Sequence, residues 1–210
     1  MPNAITATRL AFGWIIVDVQ NDFCEGGVFD LQGGTAIVKP INEMAKKFQT
    51  VVLTQDYHPA GHSSFASSHE GKEDFSYIDL PYGRQPLWPD HCVQGTWGAD
   101  FHPDLDQTAA HLIIRKGCNP DIDSYSAFVE NDRTTKTGLD GFLRSRGIKR
   151  IFTCGIATDF CVAWSSMDGV DHGFETILLR HLTKEIDLDG SLEKQIQAMT
   201  DAGVRIENAA

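Results

Sequence analysis

Short apolar runs alternating with amphipathic stretches restrict this fold more than any other feature of the sequence. Phe12-Gly-Trp-Ile-Ile-Val17, Val51-Val-Leu-Thr54, His111-Leu-Ile-Ile-Arg115, Ile151-Phe-Thr-Cys154, Thr176-Ile-Leu-Leu179 and Val204-Arg-Ile206 read as six strands. Between the first two, Ile37, Val38, Ile41, Met44, Ala45 and Phe48 recur as one helical stripe. Pro40 suits only the first turn of that helix. Thr137 is placed to cap a helix carrying Leu139, Phe142 and Leu143 and closed by Gly147. Asp159 to His172 reads as a helix stopped by Gly173, and Leu192, Ile196 and Met199 mark the last one. Near-continuous apolar strands separated by helices belong to a parallel sheet covered on both sides. The expectation is a single α/β domain over residues 1–210, a doubly wound six-stranded parallel sheet with helices on both faces.

Composition narrows the partners. The chain has 210 residues, with 18 Lys and Arg against 29 Asp and Glu, a formal net charge of −11. Such a chain repels phosphate backbones unless it carries a local basic patch. The densest basic stretch, Arg144 to Arg150, sits at a helix end where it complements the dipole, so no nucleic-acid partner is expected. The apolar run Trp14 to Val17 is stopped by Asp18, far short of the roughly 20 residues a spanning helix needs. Met1 to Arg9 has neither the basic region nor the cleavage site of a signal peptide. Five cysteines with no C-x-x-C pair argue against a disulfide framework and for a reduced, cytoplasmic setting. Association between identical chains is compatible with all of this.

Doubly wound folds bind ligands beyond the carboxyl ends of their strands. Those ends carry chemistry here. Asp18 follows strand one, Lys116 follows strand three, and Cys161 begins the helix after strand four, with Asp159 as its cap. A helix start and a nearby cation lower a thiol's pKa, and the thiolate is the nucleophile. Lys116 would supply the charge and Asp18 would shuttle a proton. Taken singly, a strand-end aspartate is usually a turn residue and a lone cysteine usually core; the convergence of all three is what gives the set weight. Asp56-Tyr57-His58 places a carboxylate and an imidazole on one side of an extended segment. His91 arrives from the proline-stiffened Trp88-Pro-Asp-His-Cys92. Two histidines and a carboxylate suit zinc, iron or manganese, with zinc favoured. All of these ligands lie in or beside residues 57 to 110, a stretch rich in Gly, Pro, His and Ser. A region that long without periodicity is more often functional than idle.

Six ordered motifs then carry a resemblance. Asp18-Val-Gln-Asn-Asp-Phe23, Asp56-Tyr-His-Pro59, Trp88-Pro-Asp-His-Cys-Val-Gln94, Lys116-Gly117, Asp123-Ser-Tyr-Ser-Ala-Phe128 and Gly155-Ile-Ala-Thr-Asp-Phe-Cys161 resemble the nicotinamidases, of the isochorismatase-like cysteine hydrolases. The likeness runs from about Phe12 to Gly173. It implies a six-stranded doubly wound fold, hydrolysis of nicotinamide to nicotinate and ammonia, deamidation of pyrazinamide, and one divalent metal ion. By the same resemblance Cys161 corresponds to the nucleophile, Asp18 to the acid/base and Lys116 to its charge partner. Asp56, His58 and His91 correspond to the metal ligands, and Phe23, Trp88, Tyr125 and Phe128 to aromatics around the substrate ring. The backbone N–H groups of Ala157 and Cys161 correspond to the oxyanion hole, and the Ile156–Ala157 bond to a cis peptide.

Two places depart from the family pattern. His62 or Ser64 stands where some members carry a further metal ligand, and Arg180-His-Leu-Thr183 lacks the Asp-Ala common after strand five. Two other functions compete with the resemblance. One is a related amidohydrolase acting on another small amide or carbamoyl compound. The other is a metal-binding, redox-sensing protein whose Cys161 is oxidised rather than acylated.

Overall fold

A computed structural model describes residues 10–208, so the reading of Met1 to Arg9 lies outside the described residues. In chain order the elements are β1 Leu10–Val17, α1 Val38–Ala45, β2 Phe48–Asp56, β3 Tyr77–Leu80, β4 Gly83–Pro86, β5 Leu112–Lys116, α2 Leu139–Ser145, β6 Arg150–Ile156, α3 Ala163–Asp171, β7 Glu175–Lys184, α4 Ser191–Asp201 and β8 Arg205–Glu207. Six of the strands form one sheet in the order β5-β2-β1-β6-β7-β8, every neighbouring pair parallel. This is the single doubly wound domain that the apolar runs predict.

Alternation along each strand builds two cores. Trp14 and Ile16 point to one face, where they meet Val51, Leu53 and Cys154, under Val38 and Ile41 of α1. Ile15 and Val17 point to the other, with Val52, Ile151 and Leu178, under Leu139 and Leu143 of α2, Ala163 of α3 and Met199 of α4. Helices therefore cover both faces, as the run of apolar residues on consecutive positions requires. The face with one helix is completed by Phe101 and Leu105 from the long region between β4 and β5.

Local signals place the helix ends. Pro40 sits in the first turn of α1. At the end of α2 the Gly147 N–H donates to Arg144 O at 2.9 Å and the Ile148 N–H to Leu143 O at 3.1 Å. Gly147 has φ +69°, a conformation that costs a residue without a Cβ little. Thr137 lies one position earlier than a cap: Gly138 holds that place, although Thr137 Oγ1 still accepts from the Leu139 N–H at 3.2 Å.

Three expectations need correction. Residues 57 to 110 contain an antiparallel hairpin, β3–β4, too short to show a period in the sequence. The helix expected from Asp159 begins as a single π turn, Thr158–Val162, and α3 starts only at Ala163. The fifth predicted strand does not stop at Leu179. It runs to Lys184, and its register against β6 jumps from Thr153–Leu178 to Gly155–Thr183. The segment Arg180 to Thr183 fills that bulge, with Arg180 paired to Glu185 at 2.8 Å.

From β1 the chain winds outward through β2 to β5, then returns to lay β6 on the other side of β1. The carboxyl ends of β1 and β6 thus flank the point where the winding reverses, the place where such sheets form a crevice. Asp18 and the turn carrying Cys161 lie there.

Leu143 is fully buried between α2 and the sheet. Leu143→Ala should cost about 2–5 kcal/mol in denaturant unfolding, because it opens a cavity between α2 and the sheet.

Candidate active site and metal centre

Asp56 ends β2 and Lys116 ends β5, and the two are direct partners in the sheet register. The Lys116 side chain runs back across them toward β1. Its ammonium lies 2.7 Å from Asp18 Oδ2, 2.8 Å from Asp56 Oδ1, 2.9 Å from Ser124 O and 3.3 Å from Cys161 Sγ. All of these groups are buried. The second Asp18 oxygen accepts from Thr54 Oγ1 at 2.6 Å. One atom of each of Asp18, Asp56 and Cys161 lies within 4.8 Å of the others. The Lys116 ammonium already serves as the cation of this group.

The other oxygen of Asp56 looks the opposite way, 3.3 Å from His58 Nε2 and 3.6 Å from His91 Nε2. His58 Nδ1 donates to Gly117 O at 3.1 Å, and His91 Nδ1 to Pro89 O at 2.8 Å. With their Nδ1 protons spent on carbonyls, both rings turn Nε2 lone pairs toward a carboxylate oxygen. His58 Nε2 has no hydrogen-bond partner although it is fully buried. Three acceptors converging in a buried place are satisfied by a cation between them. The donor set fits a divalent metal ion. Burial opposes charge on His58, but the Asp56 carboxylate outweighs it and raises that imidazole's pKa, a sign of the same unmet demand. Gln20 fixes the Asp56 backbone, accepting from its N–H at 2.7 Å and donating to its carbonyl at 2.8 Å.

His62 and Ser64 do not complete this group. His62 Nδ1 is paired with Ser64 Oγ at 2.8 Å and its Nε2 with Asn119 O at 2.8 Å, and with His58 and Asp123 it forms a second group whose ligand atoms lie within 4.8 Å of one another. The His62 ring stacks against His58 instead, with centroids 4.4 Å apart.

A narrow cavity of about 20 Å³ opens between the two clusters, lined by Phe23, Trp88, Tyr125, Ala157 and Cys161, together with Asp56 and His91. Phe128 is not there. It is buried in the core against His172 and Phe174, at 5.1 and 5.9 Å between centroids. Three residues beyond Tyr125 in a stretch without helix, its side chain leaves from the opposite side of the chain. Sequence reasoning missed four lining residues: Phe29, Asp123, Phe160 and Ile186. Asp123 and Phe160 stand inside motifs already singled out; nothing local marks Phe29 or Ile186. Gln85 of β4 braces this wall, donating to Asp123 Oδ2 at 2.7 Å and Tyr125 Oη at 3.0 Å. The Ile156–Ala157 peptide bond is cis.

Asp159 does not cap the turn it opens. Its buried carboxylate accepts from the backbone N–H groups of Ile186 and Asp187 at 3.0 and 2.8 Å and from Ser191 Oγ. It ties the Cys161 turn to the loop after β7 that brings Ile186 to the cavity.

The Cys161 thiol also departs from expectation. Burial pushes its pKa well above the ordinary range, Lys116 pulls it down, and the carboxylates of Asp18 and Asp56 push it up again. One ammonium already matched to two carboxylates has no charge to spare for a thiolate. Burial likewise raises Asp18, against the pull of Lys116. Burial thus favours the neutral thiol and makes the Asp18 carboxylate more basic than usual.

The family model for the isochorismatase domain matches residues 13–210. The chain belongs to the isochorismatase family. This family member is 51% identical over 191 residues to the nicotinamidase of Acinetobacter baylyi, covering 91% of this chain and 89% of that one. It superposes on a nicotinamidase/pyrazinamidase structure from Acinetobacter baumannii with a TM-score of 0.92 and 51% identity, over 95% of this chain and 96% of that chain. A pyrazinamidase of Pyrococcus horikoshii, solved in complex with zinc, matches at 35% identity and a TM-score of 0.75, over 94% of this chain and 99% of that one.

Two outcomes test this geometry. Gly117 has φ +66°, and a Cβ there would fall 2.4 Å from His58 Cε1. Gly117→Ala should displace the imidazole and weaken zinc binding about 10–100-fold, read by competition with a chromogenic chelator. In metal-free protein the raised thiol pKa means that the thiolate fraction grows with pH through and beyond 9, the ordinary thiol value. Iodoacetamide modification of Cys161 should therefore still be accelerating at pH 9, and Lys116→Met should slow it at every pH; a plateau near neutrality would contradict the charge balance described.

Proposed function

We propose that this chain hydrolyses nicotinamide to nicotinate and ammonia, and pyrazinamide likewise, through a thioester on Cys161. The observation that carries the reading is that a buried Asp18–Lys116–Cys161 cluster and an Asp56–His58–His91 cluster flank a small aromatic cavity, which Cys161, Asp56 and His91 line. The relatives at 51% identity support the substrate.

The aromatic walls, Phe23, Trp88, Tyr125 and Phe160, hold a flat ring with its carboxamide toward Cys161. Asp18 takes the proton from the thiol as sulfur attacks the carboxamide carbon. Its raised pKa makes it a competent acceptor, and Lys116 compensates the charge that passes between the two. The backbone N–H groups of Ala157 and Cys161 take the oxyanion, each worth about 3 kcal/mol. Asp18 returns the proton to the nitrogen, ammonia leaves, and a thioester remains. Water then attacks the thioester carbon, Asp18 accepts its proton, and the thiolate departs and is reprotonated, releasing the acid. Asp56, His58 and His91 would hold a divalent ion, zinc favoured, which when bound supplies a Lewis acid for the ring nitrogen.

No described helix is long and apolar enough to cross a membrane. All five cysteines are free. These support a cytoplasmic setting as part of the proposal.

Cys161→Ala should abolish ammonia release from nicotinamide, to below about a hundredth of the native rate, without changing the thermal midpoint by more than a degree or two. Substrate choice tests the metal-facing side. Benzamide keeps the carboxamide and the ring size but has no ring nitrogen. A site built to engage a polar atom rejects the analogue lacking it, so nicotinamide should exceed benzamide by at least ~100-fold in kcat/KM. Pyrazinamide, with a nitrogen at the matching position, should remain a substrate. Comparable rates for benzamide and nicotinamide would assign Asp56, His58 and His91 a structural role.

A further inference from the structure

The aromatic cavity does not end at its own mouth. Its wall of Cys161, Asp56 and His91 is buried, so a ring whose carboxamide meets Cys161 turns its remote edge toward the open side. There a second cleft begins. It is lined by Val28, Phe29, Leu31, Phe75, Ile186 and Leu188, with Asp187 and Asp189 beside them. Phe29 and Ile186 line both spaces. The outer cleft therefore abuts the inner one across a two-residue threshold.

Its surface is unusual for this molecule. Of five large apolar side chains that stand exposed among the described residues, Val28 at 46% and Phe75 at 41% lie on this rim. Exposed apolar groups gathered in one concave place, at the mouth of a site, mark a surface that binds something. The threshold is also held in place. Asp159, two residues from the nucleophile, grips the Ile186 N–H. Phe29 stacks on Phe23 at 5.3 Å and packs edge-on to Trp88 at 5.9 Å. Phe75 in turn packs edge-on against Trp88 at 6.1 Å, so the outer rim leans on the inner wall.

We infer that the outer cleft is a second subsite for the substrate, receiving an uncharged apolar substituent on the ring edge remote from the carboxamide. The inference rests on the amidase reading above. That reading places the carboxamide against Cys161 and the ring nitrogen against the histidines, both on the buried wall. Ring carbon 5 is the one carbon adjacent to neither substituted position, and it faces the threshold. Carbon 2 lies between the two and faces the wall. Alkyl groups at position 5 are accommodated by Val28, Phe75 and Leu188, and groups at position 2 are not. Asp187 and Asp189 make the cleft hostile to an anion, so a carboxylate at position 5 is excluded.

The test compares nicotinamide, 5-propylnicotinamide and 2-propylnicotinamide with metal-replete protein, by ammonia release. Expected is a KM for the 5-propyl compound below that of nicotinamide by about fivefold, from burial of its methylenes, and a loss of at least ~100-fold in kcat/KM for the 2-propyl compound. Leu188→Asp should lower the 5-propyl to nicotinamide ratio of kcat/KM about tenfold or more, because a charged group replaces an apolar contact. Calorimetry with Cys161→Ala, where no turnover occurs, should show the same preference in Kd. A 5-propyl compound rejected as strongly as the 2-propyl one, or a ratio unmoved by Leu188→Asp, would overturn the subsite. Failure to release ammonia from nicotinamide itself would overturn the amidase reading instead.

Discussion

The site is organised by one carboxylate. Asp56 gives one oxygen to the Lys116 ammonium and turns the other to two imidazole nitrogens. Burying an unpaired carboxylate is costly enough that proteins avoid it, and here both of its faces are answered. The consequence is that the nucleophile cluster and the metal-type cluster cannot move independently. Under the proposed function, a ring held between them would have its carboxamide and its ring nitrogen fixed against one strand end. Gln20 secures the backbone of that strand end, and Gly117 makes room for His58 where a side chain would collide with it. The specificity proposed for the site follows from this joint more than from any single aromatic contact.

The placement explains why the sheet matters. Asp18, Asp56 and Lys116 come from three adjacent strands, and parallel pairing sets all three carboxyl ends level. The lysine is long enough to cross its neighbour strand and reach the next. Antiparallel neighbours would send alternate ends to opposite edges and scatter the set. The winding reversal between β1 and β6 then leaves space for the π turn that presents Cys161.

Much of this was legible in the sequence because strands buried on both faces are written as plain apolar runs. Asp56 and Lys116 stand at the ends of such runs, Asp18 just beyond one, so the rule about strand ends reached them without a family resemblance. What sequence hid was of two kinds. The hairpin β3–β4 is four residues a strand, with mixed exposure, and gives no period to read. Contacts across long separations, such as Asp159 with Ile186 or Gln85 with Tyr125, leave no local mark at either residue. Phe128 shows the opposite error. A motif carried it along with Tyr125, but three residues in an extended stretch reverse the side of the chain, and it went to the core.

The electrostatics of Cys161 also weigh against a redox-sensing role. Sensor cysteines are solvent-accessible, thiolate-rich and set beside a resolving partner. Cys161 is 5% exposed, and burial with two nearby carboxylates holds it as the thiol. No cysteine among the described residues lines the cavity with it. In the proposed mechanism a substrate seated against Asp18 changes the balance, because the proton then has somewhere to go at the moment that sulfur bonds to carbon. The same burial that protects the thiol from adventitious chemistry thus makes its reactivity conditional on a bound amide. The raised pKa of Asp18 is the other half of that arrangement. A carboxylate with an ordinary pKa would be a poor acceptor for a thiol proton, and one that burial makes more basic can both receive it and hand it on to departing ammonia.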